Sequence, residues 1–346
     1  MTGIKDVAKA AGVSVSTVSY VLSGKRSISS KTTDAVLAAI DKLGYVPNAS
    51  ARKLRGEPNR IIAIAPGCRE AKRPRISVYF MQMALKAKER GYDVLLLTGE
   101  NPVNDIRRVT QSGIADGVVL LDVDEYDKRA LYAKSFGKPC VAIGYPVDHD
   151  DCACVDIDFA QMGRLVARKL HDYGHKRVSF LRSIENLDMP ISGYRLLFRR
   201  SFLDSAKDFG IEVNEPALTN YKTFNPRQFV DECLLGKNGS TAIVNQSDSI
   251  ILNKVLDVLH KDKISVPEDI SVISCGTFLS SMPVSQGISE MPITPELLCE
   301  EALEVLLDAI ERNDDIRGMV RLSPPTFVDR GSFGPVSKTG TGVIDA

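Results

Sequence analysis

The sequence predicts a multidomain chain: a small all-α unit built on a helix-turn-helix, a short hinge helix, then a larger α/β body of two lobes with parallel sheets. Three observations predict it. The first sixty residues hold helix-forming stretches punctuated by single glycines, with ten Lys/Arg against four Asp/Glu. The remaining residues hold 34 and 40, so a basic head precedes an acidic body although the formal net charge of the chain is zero. From Ile61 onward short apolar runs alternate with helical segments, and the alternation restarts near Arg177.

Bulk composition bounds the rest. At 346 residues the chain can build two or three cores, and 44% hydrophobic with 25% charged residues is the balance of a folded globular protein. No apolar run approaches the roughly 18 residues needed to span a bilayer. The start, Met1-Thr2-Gly3-Ile4-Lys5-Asp6, lacks a signal-peptide layout, so a cytoplasmic protein without a membrane association is expected. Seven cysteines, an odd number in mostly apolar settings, are expected to be reduced thiols.

The head is read in order. Asp6 to Ala11 has helix-forming composition, with Val7 and Ala11 on one face. Gly12 supplies the left-handed residue that ends a helix, and Ser14 is a good N-cap for a second helix from about Val15 to Leu22. Wound at about 100° per residue, that helix turns Val18, Val21 and Leu22 inward and Ser16, Ser19 and Tyr20 outward. Short hydroxyls and a tyrosine suit close approach to phosphates and base edges, although an ordinary solvated face has the same composition. Ser29-Ser30-Lys31-Thr32-Thr33 caps a third helix through about Leu43, with Val36, Leu37 and Ile40 as its core stripe and Gly44 at its end. Tyr45 to Asn48 is extended because residues before proline avoid the helical region. Asn48 can cap a last short basic helix, Ala49 to Arg55, too short to be stable alone.

Ile4-Lys5-Asp6-Val7-Ala8, Ala11-Gly12-Val13-Ser14, Thr17-Val18-Ser19, Leu22, Ser29, Lys31-Thr32, Gly44-Tyr45-Val46-Pro47-Asn48, Ala51 and Leu54 together resemble the headpiece of the lactose repressor/galactose repressor family. The resemblance implies that Val15, Ser16 and Tyr20, following Ser14, meet bases in the major groove. It implies that Thr17, Ser19 and Asn48 contact the DNA backbone. Leu54 matches the leucine that such proteins wedge into a central minor-groove step, flanked by Ala51 and Arg55. A wedge of this kind unstacks a step at a cost of roughly a few kcal/mol and bends the duplex onto more protein surface.

In the body, Ile61–Ala65, Tyr92–Leu97, Gly117–Leu121 and Cys140–Ile143 read as short strands of one parallel sheet; Arg177–Leu181, Ala242–Val244 and Ile270–Ile273 read as a second. Two such units suggest two lobes with a cleft at the strand carboxyl ends, where open α/β sheets bind ligands. Pro66-Gly67-Cys68-Arg69 is neither a dinucleotide fingerprint nor a Walker sequence. The family resemblance continues through Gly174-His175-Lys176-Arg177-Val178, Gly193-Tyr194-Arg195, Val266 to Val272 and Pro324 to Ser332. It implies a periplasmic-binding-protein-like body with three crossovers. The expected boundaries are 1–46 for the headpiece, 47–59 for the hinge and 60–333 for the body. Within the body, lobe 1 is assigned about 61–158 and 288–320, and lobe 2 about 159–285 and 321–333, with a disordered tail at 334–346.

The effector positions depart from the family. Pro190 stands where sugar-responsive members carry an arginine; Gly144-Tyr145 replaces Asp-Arg; Asp248-Ser249 replaces Asn-Asp; and Ser274-Cys275-Gly276 replaces Gly-Phe-Asp. Each replaced group would bond a ligand hydroxyl, so a simple sugar held in the usual way is not expected. Arg75, Ile76 and Phe224 complete the expected effector-binding set with Tyr145, Pro190, Asp248, Ser249 and Gly276. The basic run Arg69 to Arg75 is a solvated loop or an attractor for an anionic effector.

No metal or cofactor is expected. His149-Asp150-Asp151-Cys152-Ala153-Cys154 lacks metal-ligand spacing and reads as a polar loop, and the four histidines accompany no nucleophile motif, so an enzyme is not expected. The helix opening Ser77-Val78-Tyr79-Phe80-Met81 is apolar nearly all round, as a helix is when sheet and partner subunit cover opposite sides. The expected protein is thus a homodimeric repressor-type regulator of a pseudo-palindromic double-stranded DNA operator, tuned by a small-molecule effector of unknown identity. The headpiece and the missing signal-peptide layout argue against a pure solute receptor; one alternative stays open, an effector-independent DNA-binding protein whose body serves only to dimerise.

Overall fold

The computed structural model describes residues 3–23, 26–45, 58–67, 76–182, 192–216, 224–236, 238–247, 249–277 and 287–336. The chain divides into two compact units, 1–59 and 60–346.

The first unit holds helices α1 (Ile4–Ala11), α2 (Val15–Ser23) and α3 (Ser30–Leu43). Local chemistry sets their ends. Gly12 closes α1 at φ 67°, Gly44 closes α3 at φ 58°, and the Ser29 hydroxyl accepts the Thr32 N–H at 3.3 Å. Val7, Ala8, Val18, Val36, Ala39 and Tyr45 form the core, with Val21, Leu22 and Ile40 packed against it. Leu37 corrects the expected α3 stripe, being 50% exposed. The stripe runs through Val36, Ala39, Ile40 and Leu43, and Leu37 lies about 100° round the helix from Val36.

The second unit is built on two all-parallel sheets. The first contains β1 (Ile61–Pro66), β2 (Asp93–Leu96), β3 (Gly117–Leu121), β4 (Cys140–Ile143), β5 (Ala153–Ile157) and β11 (Val320–Ser323), in the order β11-β5-β4-β3-β1-β2. The second contains β6 (Arg177–Arg182), β7 (Glu212–Asn214), β8 (Ala242–Gln246), β9 (Ser271–Thr277) and β10 (Ser289–Pro292), in the order β10-β9-β8-β6-β7. The helices are α4 (Ser77–Glu89), α5 (Pro102–Gln111), α6 (Lys128–Leu131), α7 (Phe159–Asp172), α8 (Gly193–Asp208), α9 (Pro226–Phe229), α10 (Ser249–Lys261) and α11 (Pro295–Arg312). Central strands β3, β4, β5, β8 and β9 are buried at every position, and β3 and β4 accordingly read as unbroken apolar runs rather than alternations.

The lobe boundaries differ from those expected. Residues 289–292 pair with β9, so they belong to the second sheet, and residues 320–323 pair with β5, so they belong to the first. The chain crosses between sheets after β5, after β10 and after β11. Beyond the last crossing, Val328 bridges Glu290, and Ser332 both accepts from the Val272 N–H and donates its hydroxyl to the Val272 carbonyl. The polar-loop assignment of 149–154 also changes, because β5 starts inside it: Cys152 and Cys154 are fully buried. The ordered chain runs past Phe333. Gly334 exchanges hydrogen bonds with Ser271 and accepts from His175 at 3.0 Å, and the Val336 N–H donates to the Tyr173 carbonyl. Among the described residues the six cysteines are free and buried, and no helix is long and apolar enough to cross a membrane.

Candidate functional site

Two surfaces carry chemistry. On α2, the Ser14 hydroxyl accepts the Thr17 N–H at 3.0 Å and lies 2.8 Å from both the Ser16 and Thr17 hydroxyls. Val18 points inward and is fully buried. Val15, Ser16 and Tyr20 are exposed, and Thr17 and Ser19 are half-buried. The face therefore offers short hydroxyls, a methyl surface and one ring. Arg26 was not singled out from the sequence. Its guanidinium stands 5.6 Å from the centre of the Tyr20 ring, which brings a cation to the face that composition alone made look neutral. Asn48, Ala51, Leu54 and Arg55 lie outside the described residues.

The second surface is a cleft of about 850 Å³, counting its open mouth, at the carboxyl ends of both sheets. The first lobe contributes Asp122 after β3, Gly144 after β4, Asp156 on β5, and Ile76 and Tyr79 at the start of α4. The second contributes Phe159, Tyr194 and Arg195, with Gln246 and Ser247 from the end of β8 and Gly276 and Thr277 from the end of β9. Phe159 and Tyr194 form a tilted ring pair 4.9 Å between centres. Gly276 sits at φ 60°; a Cβ there would come within 3.2 Å of the Phe159 ring and 3.5 Å of Gln246 Nε2. A side chain at this position would be strained and would also fill the space beside the rings.

The electrostatics are uneven. Asp156 is 4% exposed and accepts the Ile157 N–H at 2.9 Å, with no described basic side chain in salt-bridge range. Burial raises its carboxyl to about 8. Tyr79 is raised well above the usual phenol value, by burial first and then by the neighbouring Asp156, Cys299, Tyr194 and Asp122. Behind the cleft wall, buried Arg129 donates to the carbonyls of Ala65 at 2.7 Å, Leu121 at 3.0 Å and Asp122 at 3.1 Å, and to both carboxylate oxygens of Asp127. It thereby ties the carboxyl ends of β1 and β3 together and holds the Asp122 backbone in place at φ 48°.

Comparison with known proteins follows the same division. Residues 3–48 match the family described as bacterial regulatory proteins, lacI family, and residues 167–333 match the periplasmic binding protein-like domain. The HTH-type transcriptional regulator MalR of Staphylococcus xylosus is 26% identical over 341 residues, covering 96% of this chain and 98% of that protein. The head thus matches the lacI family model and the body the periplasmic binding protein-like domain, the two parts that such regulators combine. The chain's fold is shared with the lac repressor dimer bound to operator and the anti-inducer ONPF, at TM-score 0.73 and 20% identity, covering 96% of this chain and 98% of that one. It is shared also with a transcriptional regulator CelR–cellobiose complex, at TM-score 0.61 and 23% identity, covering 96% and 100%.

Within this periplasmic-binding-protein-like body, the expected effector positions separate. Ile76 and Gly276 line the cleft. Tyr145 does not; its ring packs 4.9 Å from His149 while Gly144 takes the cleft position beside it. Phe224 is 9% exposed and belongs to the outer core of the second lobe, 6.1 Å from Phe229. Ser249 is buried at the start of α10, and the cleft is reached instead by Gln246 and Ser247, where β8 ends. Arg75, Pro190 and Asp248 lie outside the described residues. Asp156 and Asp122 were missed because an acidic residue in Val-Asp-Ile-Asp or Leu-Asp-Val-Asp looks like solvent-facing strand end; their position after central strands was the available signal.

Proposed function

We propose that the protein is a sequence-specific transcriptional regulator of repressor type, binding a pseudo-palindromic double-stranded DNA operator as a homodimer under control of a small molecule in the inter-lobe cleft. The observation that carries it is the pairing, in one chain, of a lacI-family helix-turn-helix with a two-lobed body whose polar cleft is lined from both sheets. The lac repressor dimer bound to operator and the CelR–cellobiose complex support the same division of labour. On the head, Val15, Ser16 and Tyr20 meet base edges while Ser14, Thr17, Ser19, Asn48 and Arg26 approach phosphates; Ala51, Leu54 and Arg55 extend the contact into the minor groove.

Dimerisation is supported by α4, whose inner residues Met83 and Ala87 are fully buried while Val78, Met81 and Leu85 are 36%, 61% and 55% exposed in one stripe. Burying such a stripe against a second copy removes apolar surface from water at roughly 25 cal/mol per Å². Ligand in the cleft changes the relation of the lobes only to the extent that it binds one arrangement better. The test is selection of operators from random duplexes, repeated with a pooled metabolite extract. A palindromic consensus whose occupancy shifts with the extract supports the proposal. A consensus that nothing shifts points to a body that only dimerises, and no consensus rejects DNA-sequence recognition.

A further inference from the structure

The polar groups lining the cleft are unbalanced in a way that specifies a ligand. Two carboxyl groups, Asp122 and Asp156, face it from the first lobe. The basic residue that lines it among the described residues, Arg195, donates to the Tyr194 hydroxyl at 3.0 Å and stands 5.7 Å from the centre of that ring. Asp156 is almost fully enclosed, holds one backbone hydrogen bond, and has no counter-charge in salt-bridge range among the described residues. Beside it lie the rings of Tyr79, Phe159 and Tyr194, and the face of such a ring attracts a positive charge.

A second, independent feature lies across the cleft. Gln246 is 3% exposed, and its Nε2 has no hydrogen-bond partner. The position a Cβ of Gly276 would occupy is 3.5 Å from that nitrogen and is left open because the residue is glycine. A buried donor without an acceptor costs about 1–3 kcal/mol unless something occupies the space and accepts its hydrogen. The cleft thus asks for a positive, donor-rich group on the first-lobe side and an acceptor on the second-lobe side.

We propose that the cleft takes a small organic cation: a protonated amine or amidinium seats against Asp156, an acceptor such as a hydroxyl or carbonyl receives Gln246, and the carbon frame lies against the Phe159–Tyr194 rings. The proposal rests on the cleft being the effector site and names the class of effector. A cation brought to Asp156 draws its proton away, since an adjacent positive charge favours the ionised carboxyl. The other charged or titratable groups around it are Asp122 behind β3, Tyr79 on α4, Tyr194 and Arg195 on α8, and Cys299 on α11. The Tyr79 phenol and the Cys299 thiol, raised by burial, stay neutral near pH 7, and Asp156, raised by burial and brought against the cation, is the group that releases the proton.

The test is calorimetry on the full-length protein near pH 7, in two buffers of different ionisation enthalpy. The probes are matched pairs: glucosamine with glucose, and 4-amino-1-butanol with 1,4-butanediol. The expected result is that an amine binds at micromolar to millimolar concentration, its neutral partner binds at least about tenfold more weakly, and binding releases close to one proton per site. Asp156→Asn abolishes the proton release and the preference for the amine. Equal binding of both members of each pair, amine binding without proton release, or binding of neither amine overturns the proposal; the wild-type proton count decides even where the variant does not fold. Operator affinity is measured alongside. An amine that binds yet leaves operator affinity unchanged sinks the effector role and keeps the ligand class. A neutral polyol that alone shifts operator affinity does the reverse.

Discussion

The Ser192 hydroxyl, at the start of α8 in the second lobe, donates to Asp122 Oδ1 in the first lobe at 2.9 Å. The contact is not isolated. The Gly193 N–H donates to the Val123 carbonyl at 3.1 Å, Asp124 bridges Ser192, and Arg200 pairs with Glu125 at 2.7 Å. These residues fasten the edge of one lobe to the other beside the cleft, away from the three covalent crossovers. A cleft whose lobes separate must break them.

Ser192→Ala is therefore expected to favour the separated arrangement. One hydrogen bond of this kind contributes about 1 kcal/mol net, roughly a fivefold change in the ratio of the two arrangements. Distance measurements between labels on the two lobes check this; an unchanged distribution rejects a latch at this position.

Arg129→Ala is expected to destabilise the body by about 3–5 kcal/mol, because it strands the buried Asp127 carboxylate and frees three backbone carbonyls at once. Burial pushes Asp127 upward, but the hydrogen bonds and charge of Arg129 outweigh it and hold the carboxyl below its ordinary value. A depressed carboxyl contributes stability above its unfolded value and loses it as pH falls through the folded one. Denaturant titrations of the wild type should show that loss in acid, and Asp127→Asn should blunt it.

Asp156 acts in the opposite direction. Its folded value of about 8 lies above the unfolded one, so the folded protein holds a proton that the unfolded chain releases. Stability falls as pH rises from about 4 to about 8, by roughly a few kcal/mol. Asp156→Asn should flatten that slope and leave the protein more stable than wild type at pH 9. Urea midpoints across this range decide it, and a variant that keeps the wild-type slope excludes Asp156 as its source.

Arg26 and Tyr20 separate two kinds of DNA contact. Arg26→Ala is expected to weaken operator and random DNA alike and to reduce the slope of log K against log salt by about 0.9 per subunit, about 1.8 for the dimer. Tyr20→Ala should change base preference on the operator with little effect on that slope. Binding isotherms at several salt concentrations read both. A salt slope unaltered by Arg26→Ala places that guanidinium off the phosphates.

Over its described residues the head was legible almost to the residue, because its signals are local. Gly12, Ser14, Ser29 and Gly44 terminate or begin helices by chemistry contained within one turn, and Val7, Val18 and Val36 fall on single faces. Leu37 was misplaced because two apolar neighbours on a short helix leave the stripe ambiguous by one residue. The strands from β1 to β4, β6, β8 and β9 were equally visible as apolar runs. What their order could not convey was membership. Residues 289–292 and 320–323 are short, and which sheet each joins depends on pairing with β9 and β5, strands distant or separate in sequence.

The cleft divides along the same line. Its location at the strand carboxyl ends, and Ile76 and Gly276 within it, followed from sequence pattern and family resemblance. Its chemistry did not. Asp156 is a carboxyl like its neighbour Asp158 in the sequence, yet one is enclosed in the cleft while the other caps α7 with its side chain on the Gln161 N–H. Phe224 and Tyr145 look like ligand platforms and are packing residues. Sequence alone determined the helix-turn-helix and the α/β repeat, since those rest on periodicity and local capping, and it pointed to the class of protein through the family resemblance of its motifs. Only the tertiary structure decided which polar groups are deprived of water, because desolvation is set by atoms brought together from both lobes.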